Sequence, residues 1–188
     1  MSNITEYLSL VSKAISELPE DKLRDIIDTL KKAHAEGRRV FLLGNGGSAA
    51  NATHIAEDLQ KGIKECSGKR FKVTSLTESV PLITAWANDA SYEDIFAEQL
   101  DSLLEPGDVV IAISGSGNSP NVLKAVQKAN EMGAITIGLS GFSGGKLAGL
   151  AQKSIVVASD NMQRIEDVHL IIGHLIFSCM MQECGNKG

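Results

Sequence analysis

Cysteine is scarce in this chain: Cys66, Cys179 and Cys184 are the full set, and their irregular spacing builds neither a disulfide framework nor a CxxC metal site. The thiols are expected to stay reduced. No apolar run approaches the length needed to cross a bilayer, so no membrane partner is expected. The first twenty residues carry Glu6, Lys13, Glu17 and Glu20, which the uncharged core of a signal peptide would not contain. The chain is therefore expected in the cytoplasm. Lys/Arg-rich runs are also absent and the formal net charge is -5, so the chain's own field opposes a nucleic acid as main ligand. Internal repeats and low-complexity segments are missing too.

What is present is the composition of one ordinary domain, with 43% hydrophobic and 22% charged residues among 188. From Ile4 to Leu18 the apolar residues recur at three- and four-residue steps, one face of a helix that Pro19 ends. A second helical pattern, Leu23, Ile26, Ile27, Leu30 and Ala33, runs to a capping Gly37. Short β-branched runs then alternate with helical stretches: Val40-Leu43, Phe71-Leu76, Val109-Ser114, Ile135-Ser140 and Ile155-Ala158. That alternation predicts an α/β fold, a parallel sheet with helices on both faces. The last helix, from Gln163 to Gln182, is apolar on most sides and must be covered all round. With the N-terminal helix pair it predicts a homo-oligomer of two or four chains; burial within a monomer is the competing reading.

Two loops carry the functional signal. Gly44-Asn45-Gly46-Gly47-Ser48 follows the first strand and opens a helix, so unpaired N–H groups stand at the positive end of a helix dipole. Anions bind there, and glycine at 44, 46 and 47 permits positive φ and close approach of a ligand. Ala49 stands where a GxGxxG fingerprint needs its third glycine, and the Lys of a P-loop is missing, so a nucleotide is not favoured. The third strand ends in Ser114-Gly115-Ser116-Gly117-Asn118-Ser119-Pro120, with Ser119 as the expected N-cap of the next helix. One such loop could merely cap and turn. Two of them, at the carboxyl ends of strands in an open sheet, point to one ligand, the phosphorylated end of a small molecule.

On the helix after the first loop, His54 and Asp58 are four residues apart and share a face. A solvated helix face explains most such pairs, yet the position one turn beyond a phosphate loop favours metal binding or acid-base work, and His with a carboxylate suits zinc. The last helix adds Glu166, His169 and His174. Glu166 and His174 are eight residues apart, about 12 Å along a helix. They either serve different roles or reach one site from two chains. Trp86 reads as core, Lys61 as a solvated lysine, His34 as surface, and His169 at most as support for another group.

Together, GNGGSA with His54 shortly after, ISGSGNSPNV, Asn88-Asp89 and RIEDVHLIIGHL resemble the SIS (sugar isomerase) domain, specifically its phosphoheptose isomerase branch. The resemblance covers nearly the whole chain. It implies a three-layer α/β/α fold with a five-stranded, parallel, flavodoxin-like sheet: one SIS domain over 1–188, with 1–37 as helices for packing and oligomerisation and 38–188 as the core. It implies a homotetramer and conversion of sedoheptulose 7-phosphate to D-glycero-D-manno-heptose 7-phosphate through an enediol(ate), with zinc as cofactor. It places His54, Asp58, Glu166 and His174 on the metal positions, and Asp58, Glu166 and His174 on the catalytic ones. Asn45, Gly46, Gly47, Ser48, Asn88, Asp89, Ser114, Gly115, Ser116 and Ser119 fall on substrate-binding positions. The family usually has glutamate at Asp58 and glutamine at Glu166, so either carboxylate of this chain is a candidate base. The alternatives are an isomerase of another sugar phosphate, or a non-catalytic module that binds phosphosugars or a protein partner, as in the SIS relative that associates with a replication initiator. That relative lacks an acid at the position of Asp58 and a histidine at that of His174.

Overall fold

The structure, a computed structural model, describes residues 3–185, with side chains as far as Gln182. Two helices, α1 (Asn3–Ser16) and α2 (Glu20–Glu36), precede β1 (Arg39–Gly44), α3 (Gly47–Ser67), β2 (Lys72–Ser75), α4 (Val80–Asp89) and α5 (Ala97–Leu103). Then follow β3 (Val109–Ile113), α6 (Pro120–Glu131), β4 (Ile135–Ser140), α7 (Leu147–Leu150), β5 (Lys153–Val156) and α8 (Met162–Gly185). Gly37 ends α2 at φ 70, its N–H bonding to the His34 carbonyl at 3.1 Å. That is the left-handed cap its position predicted.

The five strands are parallel in the order β2-β1-β3-β4-β5. Side chains alternate along each central strand, so each strand feeds two apolar layers. Val40, Leu42, Val109, Ile111 and Ile113 face one core with α2, α3 and α8; Phe41, Leu43, Val110 and Ala112 face the other with α5 and α6. Both faces are apolar, which is why the strands read as unbroken hydrophobic runs. The order reverses between β1 and β3, and the register pairs Gly44 with Ile113, so both strands end at one level. The loops after them lie side by side at the switch point, where such sheets bind ligands.

The edge strands differ from their sequence patterns. β2 is shorter than the expected run because Phe71 and Leu76, though buried, pack beyond its paired residues. β5 pairs from Lys153, two residues earlier than expected. Only one side of α8 is buried, through Val168, His169, Ile172, Ile176 and Met180. Within a single chain this helix is not covered all round. α4 has no buried residue although Val80 and Leu82 are apolar, and Ile4 and Leu8 of α1 are exposed too. No helix among the described residues is long and apolar enough to cross a membrane. Cys66 and Cys179 are free thiols, and the side chain of Cys184 lies outside the described residues.

His169 shows how α8 is held to the sheet. Its Nε2 donates to the Ser140 carbonyl at 3.1 Å, leaving Nδ1 unprotonated, buried and without a partner. Burial pushes its pKa down to about 4, against a smaller opposing effect of the Ser140 hydrogen bond. The fold therefore favours the neutral ring, and this stability is fully present above the unfolded-state value near 6.5. It is lost as the pH falls from there toward 4, on the order of 3 kcal/mol in all. The urea midpoint of the native chain is expected to drop between pH 7 and pH 4.5 more steeply than that of His169→Gln, which keeps a donor for Ser140 but does not titrate. Equal slopes would contradict this assignment.

Candidate active site

The glycine-rich loop after β1 turns at Gly46, whose φ of 55 suits glycine. Of the three glycines only this one uses positive φ; Gly44 is needed for close approach, since a methyl group there would lie 2.8 Å from Ser48. Asn45, Gly46, Gly47 and Ser48 line a cavity of about 270 Å³ together with Ser114, Gly115, Ser116 and Ser119 of the second loop. Ser119 holds the N-cap position of α6, but its hydroxyl does not cap. It pairs with Ser114 Oγ at 3.1 Å, closing a hydroxyl chain across the loop.

The two loops are clasped by an amide pair. Asn45 Nδ2 donates to Asn121 Oδ1 and Asn121 Nδ2 donates back to Asn45 Oδ1, both at 2.9 Å. Tyr92 Oη donates to the same Asn45 oxygen at 3.0 Å. The side chain of Asn45 is thus engaged within the protein. Neither Asn121 nor Tyr92 stood out in the sequence, because the partners are 76 and 47 residues from Asn45.

Helices α3 and α8 lie in parallel, bringing Gly47 to Glu166, His54 to His174, Ile55 to Gly173 and Gly62 to Phe177. A methyl group on Gly173 would lie 2.3 Å from Ile55, and one on Gly62 2.4 Å from Phe177. These two glycines set the close spacing of the pair. At that spacing His54 Nε2 and His174 Nε2 are 3.1 Å apart, and Asp58 Oδ2 is 3.6 Å from each. Both histidines are half exposed, whereas Asp58 Oδ2 is buried and has no hydrogen-bond partner.

These three groups suit a divalent cation. Their ligand atoms all lie within 4.8 Å of one another. Zinc bonds of about 2.0–2.1 Å in a tetrahedron put ligand atoms roughly 3.3 Å apart, close to the spacings seen, and the two nitrogens and one carboxylate oxygen are the donor set of a catalytic site with an open position. The unpartnered Asp58 oxygen is the kind of atom such an ion would satisfy.

Glu166 stands apart from this trio. Its carboxylate packs over Gly47 in the cavity between the two loops, which answers the twelve-ångström problem: within this chain Glu166 and His174 lie in different places. Asn88 and Asp89 do not line the cavity. They are exposed at the end of α4, where Asn88 Nδ2 donates to Asp89 Oδ1 at 2.8 Å. Lys61 is exposed, Trp86 is only partly buried against the second core, and His34 is half-buried on Phe71.

Residues 4–141 match the family described as SIS domain. The chain belongs to the SIS domain family. Among SIS relatives, the phosphoheptose isomerase of Aquifex aeolicus is 39% identical over 166 residues, 88% of this chain and 86% of that protein. The structure of phosphoheptose isomerase from Neisseria gonorrhoeae superposes with a TM-score of 0.86 at 28% identity, covering 95% of each chain. That of a phosphoheptose isomerase from Francisella tularensis gives 0.88 at 27% identity, covering 96% of this chain and 95% of that one. The similarity to SIS proteins of the phosphoheptose isomerase branch thus extends across both glycine- and serine-rich loops and α8.

Proposed function

We propose that this SIS domain is an aldose-ketose isomerase that converts sedoheptulose 7-phosphate to D-glycero-D-manno-heptose 7-phosphate. The observation that carries this reading is the distance between its two chemistries. From Gly47 to His54, α3 advances about 10 Å. An extended chain gains about 1.2 Å per bond, so a seven-carbon sugar spans the gap with its phosphate between the serine-rich loops and C1 and C2 beside Asp58 and His174. The phosphoheptose isomerase names of its relatives agree. Purified protein offered ketose phosphates from pentose to heptose is expected to turn over the heptose fastest; equal or better turnover of a pentose phosphate would overturn the assignment.

In this mechanism the backbone N–H groups at Gly46 and Gly47 and the hydroxyls of Ser48, Ser114, Ser116 and Ser119 hold the phosphate. Asp58 removes the proton from C1, and the enediol(ate) takes a proton at C2 to give the aldehyde at C1. Where no metal is bound, His174 holds or moves a proton at the O1 and O2 oxygens. A zinc ion held by His54, Asp58 and His174 would polarise the carbonyl. With Glu166 lodged at the phosphate end, Asp58 is the preferred base. Zinc at a hundredfold excess over its dissociation constant stabilises by about 2.7 kcal/mol, roughly 5–10 °C in Tm for a chain of this size. Chelator-treated protein should show that rise and the His54→Ala, His174→Ala double variant should not; an equal rise in both would place the metal elsewhere.

The exposed apolar residues of α1 and α4 and the partly exposed Ile171, Leu175 and Met181 of α8 support a homo-oligomer, a tetramer, of single SIS domains. Asp placed at both Val80 and Leu82 is expected to lower the sedimenting mass, and a wild-type monomer at micromolar concentration would contradict the assembly.

A further inference from the structure

The phosphate cavity carries a negative charge of its own. A methyl group on Gly47 would lie 2.4 Å from the Cδ and both oxygens of Glu166, so the carboxylate rests directly on the start of α3. The Glu166 carbonyl accepts from Asn51 Nδ2 at 2.9 Å, which fixes this turn of α8 in place. The carboxylate itself has no hydrogen bond or ion pair among the described residues. Among the described residues no Lys or Arg lines the cavity; beside Glu166 its lining is the serine hydroxyls and backbone of the two loops with Ile113 and Met162.

A bare phosphate dianion entering between the serines meets this carboxylate at short range without a side-chain cation to offset the repulsion. A ligand that brings hydroxyl donors beside its phosphate changes the balance, because an ionised acceptor forms the stronger class of hydrogen bond. Leaving that acceptor buried and unpaired under a ligand is costly. We propose that Glu166 is a specificity-determining residue: it accepts hydrogen bonds from ligand hydroxyls near the phosphate and so selects polyhydroxylated phosphates over inorganic phosphate. The inference rests on the phosphosugar reading of the same cavity and adds the discrimination to it.

Calorimetric titration of wild type, Glu166→Gln and Glu166→Ala with inorganic phosphate and with sorbitol 6-phosphate, a hydroxylated ligand that cannot isomerise, tests it. Removing the charge is expected to tighten inorganic phosphate by about tenfold or more. The preference for sorbitol 6-phosphate should fall by at least as much in both variants, with Tm showing that they fold. If wild type prefers sorbitol 6-phosphate and both variants keep the same ratio, the role of Glu166 is overturned and the phosphosugar reading stands. If wild type binds neither ligand, the reading of the cavity fails and the inference falls with it.

Discussion

Asp58→Asn is expected to lower kcat on sedoheptulose 7-phosphate by about 10³-fold, within the range that a positioned general base supplies. The amide cannot accept the C1 proton, and it replaces the one carboxylate oxygen that lies 3.6 Å from both histidines. KM should change far less, since the proposed phosphate site between the two loops lies some 10 Å away along α3. The geometry also predicts a contrast with Glu166→Gln, which acts on ligand selection and so should move KM more than kcat. Steady-state kinetics of both variants separate the two carboxylates. An unchanged kcat in Asp58→Asn would remove it as the base.

The second large effect is expected far from any titrating group. In Gly173→Ala the added methyl group meets Ile55 at 2.3 Å, so α3 and α8 must move apart or Ile55 must shift. Overpacking of this kind costs about 1–3 kcal/mol. Because His54 neighbours Ile55 and His174 neighbours Gly173, separation of the helices also pulls the two imidazoles from their 3.1 Å contact. A displacement near 1 Å at reacting groups can cost about 10²-fold in rate, and that loss is expected in kcat. Ile55→Ala in the same chain removes the Cγ1 and Cδ1 atoms that the new methyl group would meet and should restore part of the rate, a coupling that a double-mutant cycle reads directly. Gly149→Ala is the control, since a methyl group there meets nothing within 4 Å. Loss of stability without loss of kcat in Gly173→Ala would show that the helix spacing does not set the site.

Much of the fold was legible because its signals are local. Five apolar runs read as strands since a parallel sheet buries both faces of each, and the Gly- and Ser-rich loops read as turns into helices. Their adjacency followed from the rule for open sheets, which the β1 to β3 register satisfies. The rise per helical residue was enough to show that Glu166 and His174 could not easily share an ion within one chain. Which of them lies beside the Gly44–Ser48 loop needed the packing of α3 on α8. The amide clasp of Asn45 and Asn121 was illegible because side-chain pairing across 76 residues leaves no pattern in sequence. Gly62 and Gly173 were passed over for a similar reason: a small residue on a helix reveals its purpose only once the opposing ring or branched side chain is known. Ser119 showed the right residue type at a helix start, but competition from Ser114 redirected its hydroxyl.

The central claim is that the cavity and the His54, Asp58 and His174 group act on one phosphosugar by proton transfer between C1 and C2. Its most direct test is to incubate the purified protein with sedoheptulose 7-phosphate in D₂O, with zinc supplied, and follow the sugar by NMR. An aldoheptose 7-phosphate carrying deuterium at C2 is expected to appear, with exchange of a C1 proton in the recovered ketose. A ketose recovered without exchange and with no aldose formed would contradict it and leave a binding module in its place.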